Sequence, residues 1–488
     1  LNHNIHPKDQ VPTLEKWALG TGALAGFFGY AGVSIMAYPV YNMILGVSAA
    51  WVGLALMIPR IWDAITDPIM GKISDNFQSK YGRRKPFIVC GAITMGTLFA
   101  LLWQAPSHWS HEKIIAYFII AQILYFTAYT VYSVPYSALS YELTPDYNER
   151  TRVMAFVAFF HKLGEFSGGW LLPLAYGLGG WWAVSAATEE EQQMAGVTIM
   201  SWIVGLGVMA VMGAIPGLFV KERFAQKTQK EKVKLWESIK GAFSSSAFLI
   251  LVSVIVLNTL SGVLAMGIDQ YLLVYYMNNG DQAAGMVQKG LLTSGYAIVG
   301  FASIPIITWL AGKLSKKKAL YMVYGLMTLG GIMKWFIFTP SHTIYQVNLG
   351  FGPFAFDPII LVDPLLCGPM WVAVKIMLAS MMADICDEDE LKSGQRREGM
   401  FGAVFSWIEK MVVSLSYMGT GVALAMANFD PKLGGHQTEE TFTLMRLFLS
   451  GAPAITACAA IIALYFYPID ANRAAITRAS LEKKRGAL

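Results

Sequence analysis

Arg60-Ile61-Trp62-Asp63-Ala64-Ile65-Thr66-Asp67-Pro68-Ile69-Met70-Gly71 sets one cation and two carboxylates inside a long apolar run centred near Met57. A bilayer core about 30 Å thick needs roughly 20 apolar residues per helical span. Ionisable groups inside such a span are costly, face the interior and mark ion or substrate paths. The two aspartates stand at i and i+4, on one helical face. Carboxylates so close repel unless a cation lies between them. A hard cation such as sodium takes several oxygen ligands, which two carboxylates and a neighbouring hydroxyl supply; a proton shared by the pair is the simpler alternative. The blander reading has Arg60 neutralising Asp63 while Asp67 anchors the helix end.

Outward from this stretch the apolar runs repeat, with centres near Gly29, Thr97, Ala121, Gly168, Val208, Ile255, Ile298, Leu326, Ala373, Val413 and Ala460. They are long and continuous, unlike the short alternating segments of a membrane barrel. Of the 488 residues 55% are hydrophobic and 14% charged, against about 25% charged in soluble domains. An all-α polytopic membrane protein with twelve transmembrane helices is predicted.

Lysine and arginine gather in alternate loops: Lys72 to Lys85, Arg150 and Arg152, Lys221 to Lys234, Lys313 to Lys318, Lys392 to Arg397, and Arg473 to Arg485. Short cytoplasmic loops retain basic residues, so both termini are predicted cytoplasmic. The net charge of +5 belongs to membrane-flanking loops that meet anionic lipid, and no nucleic-acid partner is called for. Leu1 to Trp17, with Pro7 and Pro12, lacks the basic-then-apolar layout of a cleavable signal. Cys90, Cys367, Cys386 and Cys458 stand singly, without metal-ligand spacing, and read as packing residues.

The charged stretch Lys221 to Lys240 divides the spans six and six. The predicted organisation is a cytoplasmic segment 1–15, a six-helix bundle 16–220, a linker 221–245, a second bundle 246–470 and a basic tail 471–488. Two bundles rocking about a midplane site give alternating access. Thr339 to Asp357 reads as an outer loop before the tenth span. HExxH, P-loop and GxSxG motifs are missing, so an enzyme is not expected.

Further polar groups fall inside the spans. Tyr129-Thr130-Val131-Tyr132-Ser133 offers hydroxyls in the fourth, next to Pro135. In the fifth, His161 and Glu165 share a face beside Lys162; a self-neutralising pair is the alternative reading. Asp269, Lys375 and Glu409-Lys410 lie in the seventh, tenth and eleventh. Adjacent residues point about 100° apart on a helix, so Glu409 and Lys410 serve different contacts. Aromatics such as Trp170, Tyr271, Tyr275, Trp371 and Trp407 suit the apolar face of a sugar ring, but interfaces and helix packing attract them equally.

These motifs resemble the glycoside-pentoside-hexuronide:cation symporters, the melibiose permease group of the major facilitator superfamily. Arg60 to Gly71 carries the resemblance first. Lys72-Ile-Ser-Asp75 with Tyr81-Gly-Arg83-Arg84-Lys85-Pro86 follows, then Glu142-Leu-Thr-Pro-Asp-Tyr-Asn-Glu149-Arg150-Thr151, Met382-Ala-Asp384, Asp387 to Leu391, Arg396-Arg397-Glu398-Gly399 and Lys410. The resemblance implies the major facilitator fold in two six-helix bundles. It implies coupling by Na+ or H+, with no cofactor, at Asp63, Asp67 and Thr130, and a functional lysine at Lys410. It implies a charge latch at helix ends through Arg60, Asp75, Arg83, Arg84, Glu142, Arg150, Asp384 and Arg396.

The family's galactoside binders use acidic residues in spans one and four and an arginine in span five. Here Gly26-Phe27, Ser133 and Val157-Ala158 stand in those places, which argues against melibiose. Candidate substrate contacts are Tyr129, Ser133, His161, Lys162, Glu165, Asp269, Lys375, Trp407 and Lys410. The positive groups among them favour an anionic solute such as a uronide or sulfosugar, held by charge-assisted contacts. Related eukaryotic carriers move lysophospholipids, which makes a lipid-like amphiphile the alternative. The expectation is a monomeric importer in the plasma membrane, the inner membrane if the source is bacterial.

Overall fold

The computed structural model describes residues 9–144, 146–183, 188–222, 243–340, 345–348, 353–393 and 398–485. A backbone in lipid must satisfy its own hydrogen bonds, so apolar runs of this length fold as helices. The first half holds α1 (Thr13–Ile44), α2 (Ala49–Asn76), α3 (Lys85–Leu101), α4 (His111–Glu142), α5 (Tyr147–Gly168), α6 (Leu171–Trp182) and α7 (Glu189–Phe219). The second holds α8 (Ser246–Met277), α9 (Gln282–Leu314), α10 (Lys316–Ile337), α11 (Pro358–Ser393), α12 (Glu398–Met426) and α13 (Glu439–Tyr465), and α14 (Ala471–Arg485) closes the chain.

Nine of these helices, among the described residues, are apolar and long enough to cross a membrane. The shorter α3, the broken pair α5 and α6, and α12 bring the spans to twelve. Both α5, with Lys162 and Glu165, and α12, with Glu409 and Lys410, carry charges within the span. One element departs from the all-helical expectation. Tyr345–Asn348 and Pro353–Phe356, inside the stretch read as an outer loop, pair as an antiparallel hairpin with Tyr345 opposite Phe356.

The two halves repeat one plan. The first helix of each ends in a π-helical turn, Tyr38–Ile44 in α1 and Leu272–Met277 in α8. The halves meet at this end. Tyr271 Oη donates to Asn42 Oδ1 at 2.6 Å, Gln282 Nε2 to the Met43 carbonyl at 3.3 Å and Tyr38 Oη to the Tyr417 carbonyl at 2.7 Å. The backbones of α2 and α12 touch there: a Cβ on Gly421 would lie 2.4 Å from the Ala49 carbonyl oxygen.

The apolar core follows the same division. One cluster runs through the first half and on into Ala265–Tyr275, Leu424 and Met445 of the second. A separate cluster, including Phe248, Leu320, Met381, Phe401 and Ile469, fills the other end of the second half. The halves therefore share a core at the π-turn end and keep separate cores at the opposite end.

Candidate functional site

Proline places the central helix. Pro59 lacks an N–H, so the Ala55 carbonyl loses its helical donor, and Gln122 Nε2 of α4 donates to it at 3.1 Å instead. This ties α2 to α4 about two turns before Asp63. One turn further along α4 than Phe126, Thr130 Oγ1 meets both aspartates, 2.9 Å from Asp63 Oδ1 and 3.2 Å from Asp67 Oδ1. Thr66 Oγ1 lies 3.2 Å from Thr130 Oγ1 and adds a second hydroxyl that the sequence reading passed over.

The fourth side is closed from the other half. Lys410 Nζ of α12 donates to Asp63 Oδ2 at 3.2 Å and makes a tighter contact with Asp67 Oδ2. Two like charges about 4 Å apart repel by about 4 kcal/mol at an effective dielectric of about 20, and the ammonium lies where that repulsion demands a cation. Asp63 is buried at 1% exposure, while the side chains of Asp67 and Lys410 stay 28% and 30% exposed. The cluster is therefore shut off from its surroundings only in part.

Arg60 lies in the middle of α2, one turn before Asp63 and away from the helix-end ion pairs. Asp63 is within its electrostatic reach, but no ion pair joins the two among the described residues. Its guanidinium stacks between Tyr30, 4.1 Å from the ring centroid, and Phe126, at 4.4 Å, and donates through Nη2 to the Tyr30 carbonyl.

At the helix ends, Arg83 Nη2 reaches Glu142 Oε2 at 3.0 Å, and Arg84 reaches Glu142 at 2.6 Å and Asp75 at 3.4 Å. Glu222, which the sequence reading did not single out, accepts from the backbone N–H groups of Arg83, Arg84 and Lys85 at 2.9, 2.9 and 3.1 Å. A carboxylate there complements the exposed N–H groups of the start of α3. Arg150 Nη2 donates to the Thr144 carbonyl at 3.2 Å. In the second half Asp384 pairs with Lys316 at 2.6 Å, which repeats the pairing of a loop cation with the following helix. Arg396 lies outside the described residues, as does most of the linker 221–245.

The substrate candidates separate into groups. Lys162 pairs with Glu165 at 2.6 Å, so the expected His161–Glu165 face is replaced by an i, i+3 ion pair, and His161 sits edge-on to Phe27 at 5.3 Å. Lys375 of α11 is exposed, electrostatically close to His161, and makes no ion pair among the described residues. Tyr129 is half-buried in space left by Gly29, whose added Cβ would lie 2.7 Å from the ring. Ser133 is half-buried and Trp407 is 54% exposed. Asp269 does not stand open to a ligand, because Lys289 of α9 pairs with it. Lys289 belongs, with Lys334, Asp363 and Tyr296, to a network, buried at Lys334 and Asp363, that the sequence reading missed. The rule that picked out Asp269, ionisable residues within spans, would have found these lysines and Asp363.

The family model described as MFS/sugar transport protein matches residues 18–471. The chain is similar to YagG of Escherichia coli, a candidate glycoside/cation symporter, with 26% identity covering 98% of this chain and 96% of that one. It is similar to the sodium-dependent lysophosphatidylcholine symporter 1 of Mus musculus, with 21% identity covering 88% and 81%. Among solved structures it resembles a bacterial homologue of the human lysosomal transporter Spinster in an inward-facing, unoccupied conformation, with TM-score 0.66, 14% identity, and 98% and 99% of the two chains covered.

Proposed function

The chain belongs to the MFS/sugar transport protein family, a membrane transporter family of cation-coupled, sugar-type symporters, and from that premise we propose that it imports an anionic glycoside, a uronide or sulfosugar, together with Na+ or H+. The observation that carries the reading is the lysine of one half held between two aspartates of the other. Asp63, Asp67 and Thr130 form the cation site, and Lys410 is its built-in competitor. An arriving ion takes the place of the ammonium, and Lys410 is released to meet the solute.

Alternating access follows from that exchange. With both termini cytoplasmic, as the basic loops favour, the π-turn end faces outward and is closed by Tyr38, Tyr271 and Gln282. The bundles 16–220 and 246–470 then open toward the cytoplasm. Rocking requires the site to be neutralised, by the ion together with substrate or by Lys410 alone, and this makes coupling a free-energy linkage between sites. The latches Arg83–Glu142 and Lys316–Asp384 keep each bundle rigid during the movement. The anionic preference is supported by Lys375, an exposed cation within α11 and within electrostatic reach of His161.

The similarity to the lysophosphatidylcholine symporter keeps a second solute class in the test. The purified chain is reconstituted, and thermal shifts are measured with and without sodium across p-nitrophenyl glucuronide, a sulfoquinovoside, p-nitrophenyl glucoside and lysophosphatidylcholine. A bound ligand stabilises by mass action, by about 2.7 kcal/mol at 100 times its Kd. A sodium-dependent shift is expected with the anionic sugars, absent in Asp63→Asn. A shift with lysophosphatidylcholine alone would transfer the function to lipid import.

A further inference from the structure

Arg60 poses a question that the cation site leaves unanswered. The residue is 4% exposed, its Nη1 is buried, and that atom has no hydrogen-bond partner among the described residues. A guanidinium carries five N–H donors, two of them on Nη1, and leaving these buried and unmade costs their full desolvation. The obvious acceptors are engaged elsewhere, since the oxygens of Asp63 face Thr130 and Lys410. Native interiors leave few such groups, and each calls for an explanation.

The surroundings of Arg60 share its incompleteness. Tyr30, Tyr417, Asp63 and Tyr129 are its ionisable neighbours. The phenols of Tyr30, Tyr129 and Tyr417 are half-buried, and their hydroxyls make no hydrogen bond among the described residues. Glu409, electrostatically close to Tyr30, is half-buried and makes no hydrogen bond or ion pair among the described residues. Four helices, α1, α2, α4 and α12, thus contribute polar groups within electrostatic reach of Arg60 or of Tyr30, the ring stacked on it at 4.1 Å.

We propose that Arg60, Glu409 and the three tyrosines form a substrate subsite that reads adjacent hydroxyls of a sugar ring. The guanidinium donates to one hydroxyl oxygen, the Glu409 carboxylate accepts from its neighbour, and a tyrosine ring covers the apolar face. An anionic group does not suit this place, because Glu409 repels it. Any carboxylate or sulfonate on the same solute is therefore turned away from the subsite, toward Lys375. The subsite rests on the reading of the chain as a sugar-type symporter, and it supplies the physical link to the ion. Arg60 precedes Asp63 by one helical turn and Glu409 precedes Lys410 by one residue, so a bound sugar and a displaced Lys410 act on the same two helices.

The test uses the reconstituted full chain with p-nitrophenyl glucuronide and p-nitrophenyl glucoside as probes, in the wild type, Glu409→Gln, Tyr417→Phe and Arg60→Gln. Loss of a charged hydrogen bond weakens binding by about 10- to 100-fold. That loss is expected for Glu409→Gln and Arg60→Gln, and a smaller one for Tyr417→Phe, with the shift produced by sodium alone retained. Because Arg60→Gln can fail to fold, Glu409→Gln and Tyr417→Phe decide the matter. Unchanged probe affinity in both overturns the subsite while leaving the symporter reading standing. Failure of both probes to bind the wild type removes the sugar reading and the subsite with it.

Discussion

Two charge networks, one at the junction of the halves and one within the second half, are built on opposite plans. At the junction, Asp63 and Asp67 of α2 share the single ammonium of Lys410 from α12, and Asp67 and Lys410 stay about one-third exposed. Within the second half, Asp269 pairs with Lys289 and Asp363 with Lys334, one to one, and Tyr296 Oη donates to Asp363 Oδ1 at 3.0 Å. The side chains of Lys334 and Asp363 are 4% and 0% exposed. On the proposed function, the site with surplus charge, partial exposure and partners on both halves is the one that opens, and the balanced pairs within one half hold that half together. The same proposal makes an ionisable residue in a span a transport residue when its charge is left over and its partner belongs to the other half.

The most severe way to probe the contrast is to break the dry network. Removing one partner of a buried ion pair costs about 3–5 kcal/mol, whereas replacing both by apolar residues of similar volume is often neutral. Asp363→Ala is expected to unfold well below the wild type in thermal scans, and Lys334→Met with Asp363→Leu to recover most of the loss with uptake intact. If Asp363→Ala were stable and altered the cation dependence of uptake, the network would belong to transport and the contrast would fall.

The same contrast explains what could be read from the chain. Apolar runs and basic loops specify spans, because lipid leaves the backbone one solution, and the i, i+4 spacing of Asp63 and Asp67 puts both on one face before any packing is known. Which cation faces them is a tertiary fact. Lys410 lies 343 residues from Asp67, and from the residues alone Glu409 was an equal choice; only the family resemblance singled out the lysine. Arg60 shows the limit most clearly. Its spacing from Asp63 allows a local ion pair, yet the rings of Tyr30 and Phe126, brought in by α1 and α4, hold it elsewhere. Asp269 was legible as a charge in a span, but its ligand-like reading failed for want of Lys289, one helix away.

A milder probe acts on the junction. If Lys410 competes with the ion, Lys410→Met removes the competitor without a new charge, and the carboxylates then depend on the ion. Sodium is expected to stabilise this variant at about tenfold lower concentration, a difference of about 1.4 kcal/mol, while uptake coupled to the ion is lost. The measurement is a sodium titration of the unfolding temperature. Unchanged sodium affinity would mean that Lys410 and the ion do not share a place.

The smallest effect is expected at Lys375, which is exposed, lies within electrostatic reach of His161 and is not held by a carboxylate among the described residues. An exposed charge pair contributes about 0.2–1 kcal/mol. Lys375→Gln should therefore reduce the preference for p-nitrophenyl glucuronide over the glucoside only about 2- to 5-fold, in competition against bound substrate. Raising the ionic strength should erode the same preference in the wild type, because exposed charges are screened beyond about 10 Å at 0.1 M salt. A preference that survives both the mutation and the salt would place the anion at a dry contact, and the released ammonium of Lys410 would then be the group that reads it.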